Sequence, residues 1–156
     1  MTKFADLLER KAEDIKQPPL LPAGIYLAMV SKYPEVNELR SDKGQFERIT
    51  FEMSVVSPHE VDEDAIAEFG TVQGIPFRMD FILNNGEDAD AARAREGTLN
   101  RIKTFLTNLG VFSEGMSLGE GFQSAVTAAC LVEIGHRADP NDAERFYLDP
   151  KRSYPA

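Results

Sequence analysis

Between Arg48 and Val55 the chain alternates: Ile49, Phe51, Met53 and Val55 occupy one parity, and Arg48, Thr50, Glu52 and Ser54 the other. A period of two sends the two sets to opposite sides of an extended strand, so one face meets a core and the other meets water or a ligand. The same period returns from Ile75 to Leu83, where Phe77, Met79, Phe81 and Leu83 alternate with Arg78, Asp80 and Ile82. Neither run is long or continuous enough in its apolar positions to hide both faces, and together they demand a one-sided sheet.

Other segments build around those runs. Ile25 to Ser31 is apolar and β-prone and reads as a first strand that continues irregularly past Pro34 to about Leu39. Ser41-Asp42-Lys43-Gly44 supplies a turn that closes a hairpin onto the alternating second strand. His59 to Phe69 reads as an acidic helical insertion anchored by Ile66 and Phe69 and stopped by Gly70. Leu99, Ile102, Phe105, Leu106 and Leu109 form one side of a helix closed by Gly110. Leu118 to Val126 reads as a short helical turn, and strands follow at about Ala128 to Gly135 and Glu144 to Leu148, joined by the turn Asp139-Pro140-Asn141-Asp142.

Phe4, Leu7, Leu8 and Ile15 recur at roughly helical spacing among charges, which predicts an amphipathic helix within residues 1–19, stopped by Pro18 and Pro19. Its small apolar face suits packing on its own domain or on a neighbouring subunit, so a homo-oligomer stays open. The remainder, residues 20–156, has the order three strands, helix, two strands. That order predicts an α+β, mainly β domain built as a five-stranded OB-fold-like barrel, whose ligand face is its second and third strands and the loops joining strands one to two and four to five.

Several function classes fall away. Cys130 is the one cysteine, which excludes an intramolecular disulfide and a multi-cysteine zinc site, and it reads as a small core residue. His59 and His136 lie in different elements, with His59 at an expected helix start. The acidic cluster at Asp139, Asn141, Asp142 and Glu144 lacks the glycine and glutamate spacing of a calcium loop, and the glycines at 115, 119 and 121 lack a following Lys-Ser/Thr pair. The expectation is a protein that is not an enzyme and uses no cofactor or metal. No apolar run reaches membrane-spanning length and none of secretory type opens the chain, so the expected setting is the cytoplasm.

A net charge of -9 argues against nucleic acid until its distribution is considered. Glu60, Asp62, Glu63, Asp64 and Glu68 concentrate five negative charges in one short segment, whereas Lys32 to Arg48 is balanced. Basic and aromatic residues fall where the expected barrel would use them. Arg40 and Lys43 flank the first loop; Phe46 and Arg48 lie on the outward parity of strand two, and Arg78 on that of strand three. Arg137 lies near the last loop, Arg145 and Tyr147 face outward on strand five, and Lys151 and Arg152 follow it. Cations would track phosphates while exposed rings stack on bases, a combination that gives affinity without sequence preference. The plain alternative is an ordinary wet strand face, with Phe46 a covered rim residue.

In order, Leu21 to Tyr26 (Leu-Pro-Ala-Gly-Ile-Tyr), Phe46 to Met53 (Phe-Glu-Arg-Ile-Thr-Phe-Glu-Met), Arg78 to Asn84 (Arg-Met-Asp-Phe-Ile-Leu-Asn) and a helix ending Leu106-Thr-Asn-Leu-Gly110 resemble a phage family. It is that of single-stranded DNA-binding proteins of tailed phages, long catalogued as a domain of unknown function. The resemblance implies an OB-fold that coats single-stranded DNA in phage replication or recombination, in the host cytoplasm and without a cofactor. The C-terminal Lys151-Arg-Ser-Tyr-Pro-Ala departs from the acidic tail many such proteins use to recruit replication or recombination partners, and the acidic segment 60–68 is the expected substitute. The rival expectation is an acidic protein-interaction module, such as a phage structural component or an inhibitor of a host protein.

Overall fold

The alternation between Arg48 and Val55 belongs to a strand much longer than that run. In the computed structural model, which describes residues 3–42 and 44–156, Gly44–Val61 is one strand, β3, preceded by Gly24–Val30 (β1) and Glu35–Ser41 (β2). Pro76–Asn84 (β4), Ala129–Asp139 (β5) and Asp142–Tyr154 (β6) complete the sheet. Phe4–Leu7 (α1), Glu63–Phe69 (α2), Ala89–Asn108 (α3) and Leu118–Ala125 (α4) are the α-helices among the described residues. The protein is thus α+β and mainly β.

All ladders are antiparallel. One edge of β3 pairs with β2 and then with β1; its other edge pairs with β4. Beyond β1 come β5 and β6, so β4 and β6 are the outer strands. They touch, but no ladder joins them. In place of the expected five-stranded OB-fold-like barrel stands a six-stranded sheet, not closed into a barrel, whose outer strands touch without hydrogen bonding.

The extra strand arises at Pro34, which is buried, has no N–H to donate and restricts Tyr33 before it, so the expected first strand breaks into β1 and β2. Two register shifts between β1 and β3 leave Val56 and His59 unopposed, and Pro58 lies between them in the stretch of β3 that β4 does not flank. Bulges add twist and curl, and they tolerate a proline.

The curled sheet wraps one core. Tyr26, Ala28 and Val30 of β1, Ile49, Phe51, Met53 and Val55 of β3, Phe77, Met79 and Phe81 of β4, and Cys130, Val132 and Ile134 of β5 are buried. α3 covers the sheet with Ile102, Phe105, Leu106 and Leu109. Phe51 is the centre of an aromatic cluster, meeting Phe105, Phe122 and Phe81 at ring-centroid distances of 5.0, 5.6 and 5.9 Å, mostly edge to face. Such pairs contribute about 0.5 to 1.5 kcal/mol each beyond their buried area. α3 ends as its sequence predicts: Gly110 is left-handed at φ 76°, its N–H bonds Thr107 O, and Val111 N–H bonds Leu106 O.

Three local expectations are corrected. His59 begins no helix; it stays in β3, because residues 57, 58, 60 and 61 pair with β1, and α2 is capped instead by Asp62, whose carboxylate accepts from Ala65 N–H at 3.1 Å. The N-terminal amphipathic helix shrinks to α1 and a 3₁₀ turn at Ala12–Asp14, and Phe4, Leu8 and Ile15 are 76, 67 and 62% exposed. Helical spacing alone does not hold so short a segment with nothing to bury against. The last strand runs to Tyr154, well past Leu148, because its second half pairs with β5 back to Leu131.

Candidate functional site

Register decides which side chains share a face. On the side of β2, β3 and β4 away from the core stand Leu39, Phe46 and Asn84 in one row, Asn37, Arg48 and Ile82 in the next, then Glu35, Thr50 and Asp80, and finally Glu52 opposite Arg78. Phe46, Arg48 and Arg78 thus share one face. Arg40 pairs with Gln45, the opposite parity, and so leaves from the other side of the hairpin; Lys43 lies outside the described residues. Arg48 makes no hydrogen bond or ion pair with a described residue, and its Nε is buried and unpartnered.

This face is of mixed charge. Asp80 accepts from Thr50 Oγ1 at 2.5 Å, and Lys32 Nζ sits 2.9 Å from Glu35 and 3.5 Å from Glu52. The hydrogen bond and charge of Lys32 hold the Glu35 carboxyl below its usual range. The parity that selects Arg48 and Arg78 selects Glu52 and Asp80 as well, a signal missed when cations alone are followed along the sequence.

Three of the expected residues converge where β4 approaches β6. Arg78 of β4, Arg137 of β5 and Tyr147 of β6 line one cleft of about 420 Å³ together with Phe77, Asp80 and Leu148–Pro150. Arg137 and Tyr147 are direct cross-strand partners. The Arg145 guanidinium lies 5.4 Å from the Tyr147 ring centroid, and the Tyr147 hydroxyl donates to Asp139 Oδ2 at 2.8 Å. Asp139 also accepts from Asn141 N–H at 2.9 Å, and these two bonds hold its carboxyl below the usual range. Arg78, Arg137 and Arg145 form no ion pair with a described carboxylate.

On the helix side of the same junction, Lys151 and Arg152 line a second cleft, of about 400 Å³, with Arg101 and Thr104 of α3. Arg101 also lines a groove of about 450 Å³ with Phe46, Ile82 and Asn84, so it stands between the two. Sequence reasoning misses Arg101 because the apolar stripe of α3 accounts for that helix by itself; the signal is its place next to that stripe, just before Ile102. The expected residues are therefore not one patch. Phe46 lines one groove, Arg78, Arg137 and Tyr147 a cleft, and Lys151 and Arg152 another cleft, while Arg40, Arg48 and Arg145 line none of the three.

Elsewhere chemistry is sparse. Glu63 and Asp64 occupy the first turn of α2, where the helix dipole favours negative charge, so part of the acidic segment serves the helix itself. His136 Nε2 lies 2.8 Å from Leu21 O. Cys130 is buried, and burial pushes its thiol up to about 12. Among the described residues no group of three or more His, Cys, Asp or Glu side chains is arranged to hold a metal ion, and no helix is long and apolar enough to cross a membrane. No protein-family model matches the sequence, and no curated protein matches it.

Proposed function

We propose that this protein binds single-stranded DNA without sequence preference and works by binding alone. The observation that carries the reading is the convergence of Arg78 of β4 with Arg137 and Tyr147 of the β5–β6 hairpin on one cleft, with Arg145 stacked on Tyr147. Guanidinium groups outside any ion pair with a described carboxylate suit phosphates and the half-buried Tyr147 ring suits a base, which is the pairing single-strand binders use. The strand order supports an OB-fold: β1 and β2 correspond to the two halves of its first strand, β3 and β4 to its second and third, α3 to its intervening helix, and β5 and β6 to its last hairpin. The resemblance to phage single-strand binders supports a role in phage DNA replication or recombination, with Glu60 to Glu68 recruiting protein partners.

The test is fluorescence anisotropy with labelled oligo-dT and a duplex of equal length at several salt concentrations. The reading expects salt-sensitive binding to the single strand, and an Arg78→Ala/Arg137→Ala variant with a shallower salt slope, by about 0.7 for each phosphate no longer neutralised. Absence of single-strand binding at low salt, together with capture of a specific basic protein, would favour the acidic interaction module that the net charge of -9 recommends.

A further inference from the structure

We infer that the helix-side cleft at the β4–β6 junction is a nucleotide pocket, in which Arg101, Lys151 and Arg152 hold a phosphate while Met79 and Phe81 support the sugar or base. The inference rests on the proposed single-strand binding and extends it to a site away from the sheet face that the fold alone would nominate.

Four observations carry it. The cleft collects three cations from two elements, and none of them forms an ion pair with a described carboxylate. The carboxylate across the ladder from Arg152 is that of Glu133, and it accepts instead from the Tyr154 hydroxyl at 3.1 Å. The floor is apolar, with Met79 and Phe81 retaining 8 and 7% exposure beside Phe105. A polar wall faces it: Asn108 Nδ2 donates to Ser153 O at 3.1 Å and to Ser153 Oγ at 2.9 Å, which ties β6 to α3 and leaves the serine hydroxyl hydrogen free for a phosphate oxygen.

Lys151 is also placed by the backbone. The register shift between Glu133 and Ile134 leaves Lys151 of β6 unopposed. Its side chain lies across Gly135, where an added Cβ would come within 2.6 Å of Lys151 Cε and 3.1 Å of Nζ. A volume of about 400 Å³ suits one nucleotide and not a duplex end. The chemistry is shared by a nucleotide unit of a single strand and by a free nucleotide, and two probes separate them.

Oligo-dT and dTMP are titrated into the full chain, into Arg101→Ala/Lys151→Ala/Arg152→Ala, and into Gly135→Ala, with folding checked by circular dichroism. The expected result is oligo-dT binding weakened about tenfold or more in the triple variant, with the salt slope shallower by about 0.7 for the one phosphate no longer held. Gly135→Ala gives a smaller loss in the same direction, and dTMP shifts the amide resonances of residues 101, 104 and 151–153. Wild-type affinity and slope in the triple variant, with those amides unmoved by dTMP, would overturn the inference. Should the full chain ignore oligo-dT while dTMP moves those amides, the single-strand reading falls and the pocket stands as a free-nucleotide site. Failure of both probes removes both.

Discussion

The Arg145 guanidinium lies over the ring of Tyr147, 5.4 Å from its centroid, while the hydroxyl of the same tyrosine is held by Asp139. One side chain thus joins a cation, a ring and the carboxylate of the β5–β6 hairpin, and its parts separate by substitution. Tyr147→Phe keeps the ring and loses the bond to Asp139; oligo-dT binding is expected to persist, and the Asp139 carboxyl, followed by NMR titration, to move up toward its ordinary value. Tyr147→Ala removes the ring, and binding is expected to fall about tenfold or more. Because Asp139 is held low, its contribution to stability is present above the unfolded carboxylate range and disappears as pH falls through its folded value. Tyr147→Phe is therefore expected to lessen the acid dependence of thermal unfolding.

Burial raises two groups and sets an alkaline limit. Tyr26, which donates to Pro22 O at 2.5 Å, and Cys130 are both pushed up to about 12, from ordinary values of 10.0 and 9.0. Each favours its neutral form when folded, so the stability they protect is complete below about pH 9 and is lost as pH rises toward 12. Thermal unfolding measured from pH 8 to pH 12 should show this decline, and Cys130→Ala should flatten its lower part. Thiol reagents should leave Cys130 untouched until the protein unfolds.

Thr127 carries φ of 72° between α4 and β5, a left-handed conformation that a β-branched residue resists. The strand needs it: Thr127 N–H bonds Val30 O at 2.9 Å and Ala128 N–H bonds Ala125 O at 2.9 Å. Thr127→Gly is expected to stabilise the protein by about 1 kcal/mol, read from denaturant unfolding, since it relieves that strain at an exposed side chain. A lower midpoint would show that the threonine methyl contributes more than its backbone costs.

Gly121 of α4 works by lacking a side chain. An added Cβ would lie 2.8 Å from Phe112 Cδ1 and 3.0 Å from Leu106 Cδ1, so α4 packs on the C-terminal end of α3 only without it. Gly121→Ala is expected to cost about 1 to 3 kcal/mol by overpacking, despite the better helix propensity of alanine. An unchanged or raised melting temperature would mean that Phe112 moves aside freely.

The parts legible in the sequence were those that local pattern controls. Period two located the buried parity of β3 and β4, period 3.6 located Ile102, Phe105, Leu106 and Leu109, and Gly110 and Gly70 marked helix ends that are present. What escaped depends on partners remote in sequence. His59 follows a proline and precedes acids, a good local helix start, yet pairing with β1 holds its segment extended. Arg40, expected to flank the first loop, leaves from the side of the β2–β3 hairpin opposite Arg48 through its register, which no composition reveals. Of the site, the cations of separate strands were visible one by one, but their division into clefts, and the arrival of Arg101 from α3 between two of them, required the sheet to curl until β4 met β6.

That meeting has a mechanical side. Parting any hydrogen-bonded pair of neighbours in the sheet breaks a ladder, whereas β4 and β6 have no ladder between them and are bridged by α3, which Asn108 ties to Ser153. The free edge of β4 is secured to α3 instead, by Thr98 Oγ1 on Ile82 O at 2.7 Å and by Arg95 on the carbonyls of Asn84 and Gly86. The junction of β4 and β6 is thus, among the described residues, the one seam around the sheet that no ladder closes, and its geometry is set by side chains and by α3 rather than by strand pairing.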